Sequence, residues 1–228
     1  MMELIEYADA DMLMISLAGA LSRDLRAALQ RRERAVLCVP GGTTPGPVFD
    51  MLAAVDLDWS RVDVVLSDER WVPEDHPRSN AALVRQRLMQ GHGAAARLIP
   101  YYRAPQNGDA APEAALDDLT RDLEAVLPID VALLGMGADM HIASLFPGAA
   151  RLDAALAEDA PPLMVFRPED QPEARISLTV PVLRASFALH LLITGAQKRA
   201  ALERAQDADP MDAPVKAVLD LATVHWAE

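Results

Sequence analysis

The sequence predicts an α/β fold built on a mostly parallel sheet. Short apolar runs alternate along the chain with longer stretches of helical period. Several of the runs are unbroken rather than alternating, as strands buried on both faces of a parallel sheet are. Four of them give way, at the carboxyl end, to polar or glycine-rich sequence. In an open α/β sheet that edge is where ligands bind.

The elements follow in order. A first helix opens at Asp11 or Ser16 and runs to about Arg32, with Leu13, Leu17, Leu21, Leu25 and Leu29 spaced by four to form one apolar stripe. Ala35–Val39 is a buried strand, broken by Pro40-Gly41-Gly42-Thr43-Thr44-Pro45, and a helix spans residues 45–54. Val62–Leu66 is the next strand and ends in Ser67-Asp68-Glu69-Arg70. A loop with Pro73 and Pro77 leads to a helix over residues 79–89. Residues 91–108 read as irregular. Residues 112–126 are helical, with Leu116, Leu119 and Leu123 on one face. A strand over 130–134 ends in Gly135-Met136-Gly137. Residues 157–173, rich in proline and acid, read as the most mobile loop. Residues 175–180 alternate and read as a strand. A strand over 189–193 ends in Thr194-Gly195 and is followed by a helix over 196–204. Residues 214–221 read as helix and 224–226 as a last short strand.

Length and charge narrow the function. A chain of 228 residues suits one domain, residues 1–228, with room for a small subdomain. It is 51% hydrophobic but only 4% aromatic, so aliphatic side chains must fill the core. The net charge is −13 with no block of Lys or Arg, which disfavours nucleic acid and anionic membrane as partners. An anionic small molecule remains open if a few cations gather locally. The single cysteine, Cys38, allows no intrachain disulfide and no cysteine-based zinc site, and reads as a buried strand residue. The N-terminal Met1-Met2-Glu3-Leu4-Ile5-Glu6 lacks the basic start of a signal peptide, and no apolar run nears the roughly 20 residues of a membrane span. The expected location is the cytoplasm, as a monomer or homodimer.

The chemistry gathers at the strand ends. In Gly41-Gly42-Thr43-Thr44, glycines permit close backbone approach, hydroxyls donate, and a helix N-terminus follows. That suits a phosphate, or it is simply a tight turn; it is not a nucleotide motif. Lys198 and Lys216 are the only lysines in a chain that otherwise uses arginine. Lys198, early in a helix after Thr194-Gly195, can reach a phosphate as a point charge, or be a solvated surface lysine. Asp139-Met140-His141 sets a carboxylate two residues from an imidazole that can serve as a general base, or be structural. Asp68 and Arg70 end one strand and Arg175 opens another. The arginines face the site or pair with Glu69 and Glu173. His190 lies within a strand and reads as a core or pairing residue. No histidine pair has metal-ligand spacing, so neither a metal nor an organic cofactor is expected.

Together these motifs resemble the 6-phosphogluconolactonase family, within the larger group that also holds glucosamine-6-phosphate isomerases. The pieces occur in order: Gly41-Gly42-Thr43-Thr44-Pro45; Ser67-Asp68-Glu69-Arg70-Trp71-Val72-Pro73 with His76-Pro77 and Ser79-Asn80; Gly135-Met136-Gly137-Ala138-Asp139-Met140-His141 through Ser144-Leu145-Phe146-Pro147-Gly148; Arg175-Ile176-Ser177-Leu178-Thr179; and Thr194-Gly195-Ala196-Gln197-Lys198. The resemblance implies a Rossmann-like sheet with helices on both faces and hydrolysis of a phosphorylated sugar lactone in the pentose phosphate pathway. It implies His141 as base with Asp139 beside it, Arg70, Arg175 and Lys198 as anion-binding cations, and the Gly41–Thr44 turn as phosphate holder. Two positions stand out. Met140 occupies a place where the family usually has glycine. Phe146 occupies the place of an isomerase glutamate, which favours the hydrolase branch over the isomerase.

Overall fold

The computed structural model describes residues 2–104, 111–169 and 171–228. Strand β1 (Glu3–Glu6) precedes helix α1 (Ala10–Arg31), then β2 (Ala35–Val39), α2 (Gly46–Ala53), β3 (Val62–Leu66), β4 (Asp68–Arg70), α3 (Asn80–Arg87) and β5 (Arg97–Leu98). The second half runs α4 (Leu116–Glu124), β6 (Val131–Gly135), α5 (Leu152–Leu156), β7 (Leu163–Phe166), β8 (Arg175–Leu178), α6 (Val180–Arg184), β9 (Ala188–Thr194), α7 (Ala196–Ala205) and β10 (Ala222–Ala227).

Seven strands form one parallel sheet in the order β1-β10-β9-β6-β2-β3-β5. Every residue of β2 and of β3 is buried, so both faces of the sheet are covered there. The chain builds outward from β2 to β3 and β5, then returns to place β6 on the other side of β2. Strand order therefore reverses between β2 and β6. At such a reversal the connections leave in opposite directions and open a crevice at the carboxyl ends of the strands.

Helix α1 starts earlier than expected. Asp9, not Asp11 or Ser16, caps it, accepting the Met12 N–H at 2.8 Å. Leu13, Leu17, Leu21 and Leu25 of its stripe are fully buried, each contributing about 1.5–3 kcal/mol, while Leu29 is half-buried.

A second sheet, β4-β8-β7, is antiparallel and was not legible in the sequence. It corrects two readings. Residues 157–173 are not all loop, because Leu163–Phe166 is a buried strand paired with β8; Asp170 of that stretch lies outside the described residues. The strand read over 175–180 stops at Leu178, and Val180 begins α6 with a proline in its first turn. Residues 214–221 hold only the 3-10 turn Pro214–Ala217. Residues 91–104 contain the 3-10 turn Gly91–Ala95 and β5, and 105–108 of that reading lie outside the described residues. One hydrophobic cluster includes residues of both sheets. No helix of the described residues is long and apolar enough to cross a membrane.

His190 is a pairing residue. A partly buried chain runs from Asp24 to His190 Nε2 (2.9 Å), from His190 Nδ1 to His225 Nε2 (3.0 Å), and from His225 Nδ1 to the Tyr7 hydroxyl (2.8 Å). With Asp24 ionised, each imidazole carries its proton on Nε2 and Tyr7 donates to His225. Burial and the neighbouring His190 hold the His225 pKa down to about 4. Burial, against the pull of Asp24, lowers that of His190 too. Both histidines bind protons more readily when unfolded. Their contribution is therefore complete above about pH 6.5 and is lost as pH falls toward 4, on the order of 3 kcal/mol for His225. The urea midpoint should drop between pH 7 and 4, and drop less in His225→Gln; equal slopes would remove His225 from the account.

Candidate active site

The crevice between β2 and β6 is lined from the strand ends and encloses about 740 Å³, its open mouth included. Gly41, Gly42 and Thr44 leave β2, Asp68 and Arg70 belong to β4 just beyond β3, Gly137 and His141 follow β6, and Lys198 lies in the first turn of α7 after β9. Arg175 enters from β8, paired with Arg70 across the antiparallel sheet. Thr43 is exposed and does not line the cleft. Asp139 does not line it either, and acts on it through His141.

The turn after β2 depends on glycine. Gly42 has φ +86°, a conformation L side chains rarely adopt, and a Cβ on Gly41 would collide with the Asn80 amide. No side chain caps α2 at Pro45; the Gly46 N–H reaches the Thr43 carbonyl at 3.4 Å and Pro47 has no N–H, so what the helix start offers an anion is chiefly its dipole.

His141 is held from three sides. Its Nδ1 lies 2.6 Å from Asp139 Oδ1, and hydrogen bonding to His141 holds the Asp139 pKa below the usual carboxylate range. An ionised Asp139 fixes the proton on Nδ1 and leaves the Nε2 lone pair free. The Phe146 ring packs against the imidazole at 4.5 Å. Behind it, a Cβ on Gly137 would strike both His141 and Asp139. Met140, between the pair, adopts φ +71°, the left-handed conformation glycine tolerates best. That accounts for the glycine usual in the resembling family. Here methionine takes the strained angle, and the His141–Asp139 contact still forms. Its carbonyl accepts the Val215 N–H at 3.1 Å, tying the loop to the 3-10 turn at Pro214.

The cations differ in how far their charge is spent. Arg175 has Nη1 3.5 Å from Asp68, gives Nη2 to Gln171 at 2.9 Å, and lies over the Phe146 ring at 5.9 Å. Burial, with Arg70 and Arg78 nearby, lowers its pKa despite Asp68. Asp68 is further fixed by the hydroxyls of Ser144 (2.6 Å) and Ser67 (3.1 Å). Arg70 does not pair with Glu69. That buried carboxylate instead accepts the N–H groups of Arg70, Asn80 and Ala81 and the Ser79 hydroxyl, closing the N-terminus of α3. Nor does Arg175 pair with Glu173, which meets Arg78 at 3.0 Å. Lys198 is half-buried, with its pKa lowered by burial, and has no hydrogen-bond or ion-pair partner among the described residues. A chain of net charge −13 thus gathers three cations around one cleft where, among the described residues, Asp68 is the single lining carboxylate. Among the described residues no cluster of His, Cys, Asp or Glu could hold a metal ion.

Asn80, Ser144 and Gln171 belong to this arrangement but were not singled out as site residues in the sequence. Asn80 and Ser144 each stood within a motif of the resemblance, but their contacts with Asp68 are not local in sequence, and Gln171, four residues from Arg175, lies in the stretch read as loop.

A family model described as glucosamine-6-phosphate isomerases/6-phosphogluconolactonase matches residues 8–226. A 6-phosphogluconolactonase of Pseudomonas aeruginosa is 41% identical over 214 residues, covering 92% of this chain and 88% of that one. One of Mesorhizobium japonicum is 41% identical over 230 residues, covering 97% and 93%. The solved structure of a putative 6-phosphogluconolactonase from Neisseria gonorrhoeae superposes with a TM-score of 0.93 at 34% identity, covering 100% of both chains.

Proposed function

The chain belongs to the glucosamine-6-phosphate isomerase/6-phosphogluconolactonase family, and within it we propose that it hydrolyses 6-phospho-D-glucono-1,5-lactone to 6-phosphogluconate, the lactone-opening step of the oxidative pentose phosphate pathway. The observation that carries this reading is the His141–Asp139 pair, an imidazole with a free Nε2 at the edge of a cleft that also holds the unpaired Lys198.

The 6-phosphate lies on the turn at Gly41, Gly42 and Thr44 and at the α2 N-terminus, with Lys198 as its counter-charge. His141 Nε2 removes a proton from water as the oxygen attacks C1. The tetrahedral oxyanion is stabilised by the positive wall of the cleft, on which Arg70 and Arg175 lie. The C1–ring oxygen bond breaks as the imidazolium returns its proton to that oxygen, and Asp139 steadies the imidazolium in between. The step needs an activated water and a stabilised oxyanion, and calls for no metal or organic cofactor. Phe146, packed on the base, offers no second carboxylate of the kind an isomerase uses to shuttle protons. The enzyme works as a single domain in the cytoplasm, as a monomer or homodimer.

Fresh lactone supplied to the enzyme in a pH-stat, with spontaneous hydrolysis subtracted, should release acid at an enzyme-dependent rate. Glucosamine 6-phosphate should release no ammonia. Ammonia release without lactone hydrolysis would replace this reading with the isomerase.

A further inference from the structure

Asn80 stands where three parts of the cleft meet. It is 1% exposed, yet it belongs to the cleft wall. Its Nδ2 donates to the Asp68 carbonyl at 2.7 Å, and its Oδ1 accepts from Arg70 Nη1. The same amide lies so close to Gly41 that no Cβ fits between them. Its own N–H is held at 2.7 Å by Glu69, so the residue is fixed from the backbone outward. Ser79, the N-cap of α3, completes that anchor by accepting the Ala82 N–H at 3.1 Å.

Arg70, by contrast, meets no carboxylate within ion-pair distance among the described residues, and its buried Nε has no partner. The adjacent carboxylate, Glu69, is fully used by α3 and by the Arg70 backbone. The guanidinium is therefore held by a neutral amide. A carboxylate in that place would orient Arg70 equally well, but would also cancel much of its charge in a partly desolvated setting.

We propose that Asn80 is a positioning residue that aims the Arg70 guanidinium into the cleft without neutralising it. The inference rests on the lactonase reading for the identity of the anion, but not for the coupling between the two side chains. Asn80 touches no reacting atom; it acts through Arg70, a fixed charge whose orientation is settled before substrate arrives.

A double-mutant cycle tests it. Asn80→Ala, Asn80→Asp, Arg70→Ala and Asn80→Ala in the Arg70→Ala background are compared by kcat/KM on the lactone, by Kd for 6-phosphogluconate in calorimetry, and by Tm. Asn80→Ala should lower kcat/KM and weaken binding roughly tenfold to a hundredfold. Asn80→Asp, close in shape, should lose at least as much because it quenches the charge. In the Arg70→Ala background Asn80→Ala should cost less than about threefold. Full, additive losses in that background would overturn the proposal, as would an Asp variant that is milder than Ala. The calorimetric cycle stands apart from turnover. A coupled loss of binding in a protein that does not hydrolyse the lactone would keep the Asn80 assignment and remove the lactonase reading. An active wild type with uncoupled variants would do the reverse.

Discussion

Replacing His141 with alanine is expected to lower kcat by about 10²–10⁴-fold while leaving KM within a few-fold. The reason lies in where the imidazole is held. Asp139 engages Nδ1, Phe146 covers a ring face, and the loop closes beneath it through Gly137, so the one nitrogen left to act is Nε2. None of these contacts binds the phosphate, which is why affinity should survive. His141 is part-exposed and lies in a surface loop, so the variant should fold, with Tm close to the wild type. Asp139→Asn should reproduce much of the loss. An amide can still bond Nδ1, but it no longer fixes the productive tautomer or balances an imidazolium. Near-full kcat in His141→Ala would mean that another group activates the water.

Lys198→Ala should act on the other parameter, raising KM by roughly 10–100-fold with kcat changed only a few-fold. Lys198 is half-buried with no partner among the described residues, an arrangement that costs desolvation and gains nothing until an anion arrives. Its alternative, a solvated helix lysine, predicts no change in KM. Lys216, the other lysine, donates to the Gln206 carbonyl away from the cleft and is the natural control.

The parts of this architecture that could be read from sequence are those governed by local pattern. Ala-Val-Leu-Cys-Val announces a buried parallel strand because it is continuous, and Val-Asp-Val-Val-Leu does so with a single break at Asp63. The glycine-rich and polar segments after them point to the cleft because several of them fall together at the carboxyl edge of the sheet. The antiparallel sheet carried no such signal. β4 is three charged residues, Asp68-Glu69-Arg70, whose strand geometry comes only from pairing with β8. β7 is four apolar residues set within a stretch rich in proline and acid, and β1 is a short, partly exposed edge strand. The site followed the same division. Lys198 and His141 were legible from type and position. The real partners of the arginines were not, because Glu69, the neighbour in sequence, is spent on a helix N-terminus, and the neutral amides of Asn80 and Gln171 take the guanidinium groups instead.

A crystal of the protein grown with 6-phosphogluconate tests the central claim, that a base and an anion-holding lysine serve one molecule. The account predicts phosphate oxygens within about 3 Å of Lys198 Nζ and the Gly41–Thr44 amides, with the C1 carboxylate of the same molecule beside His141 Nε2. A ligand that reaches Lys198 but lies turned away from His141, or that binds outside the cleft, would contradict it.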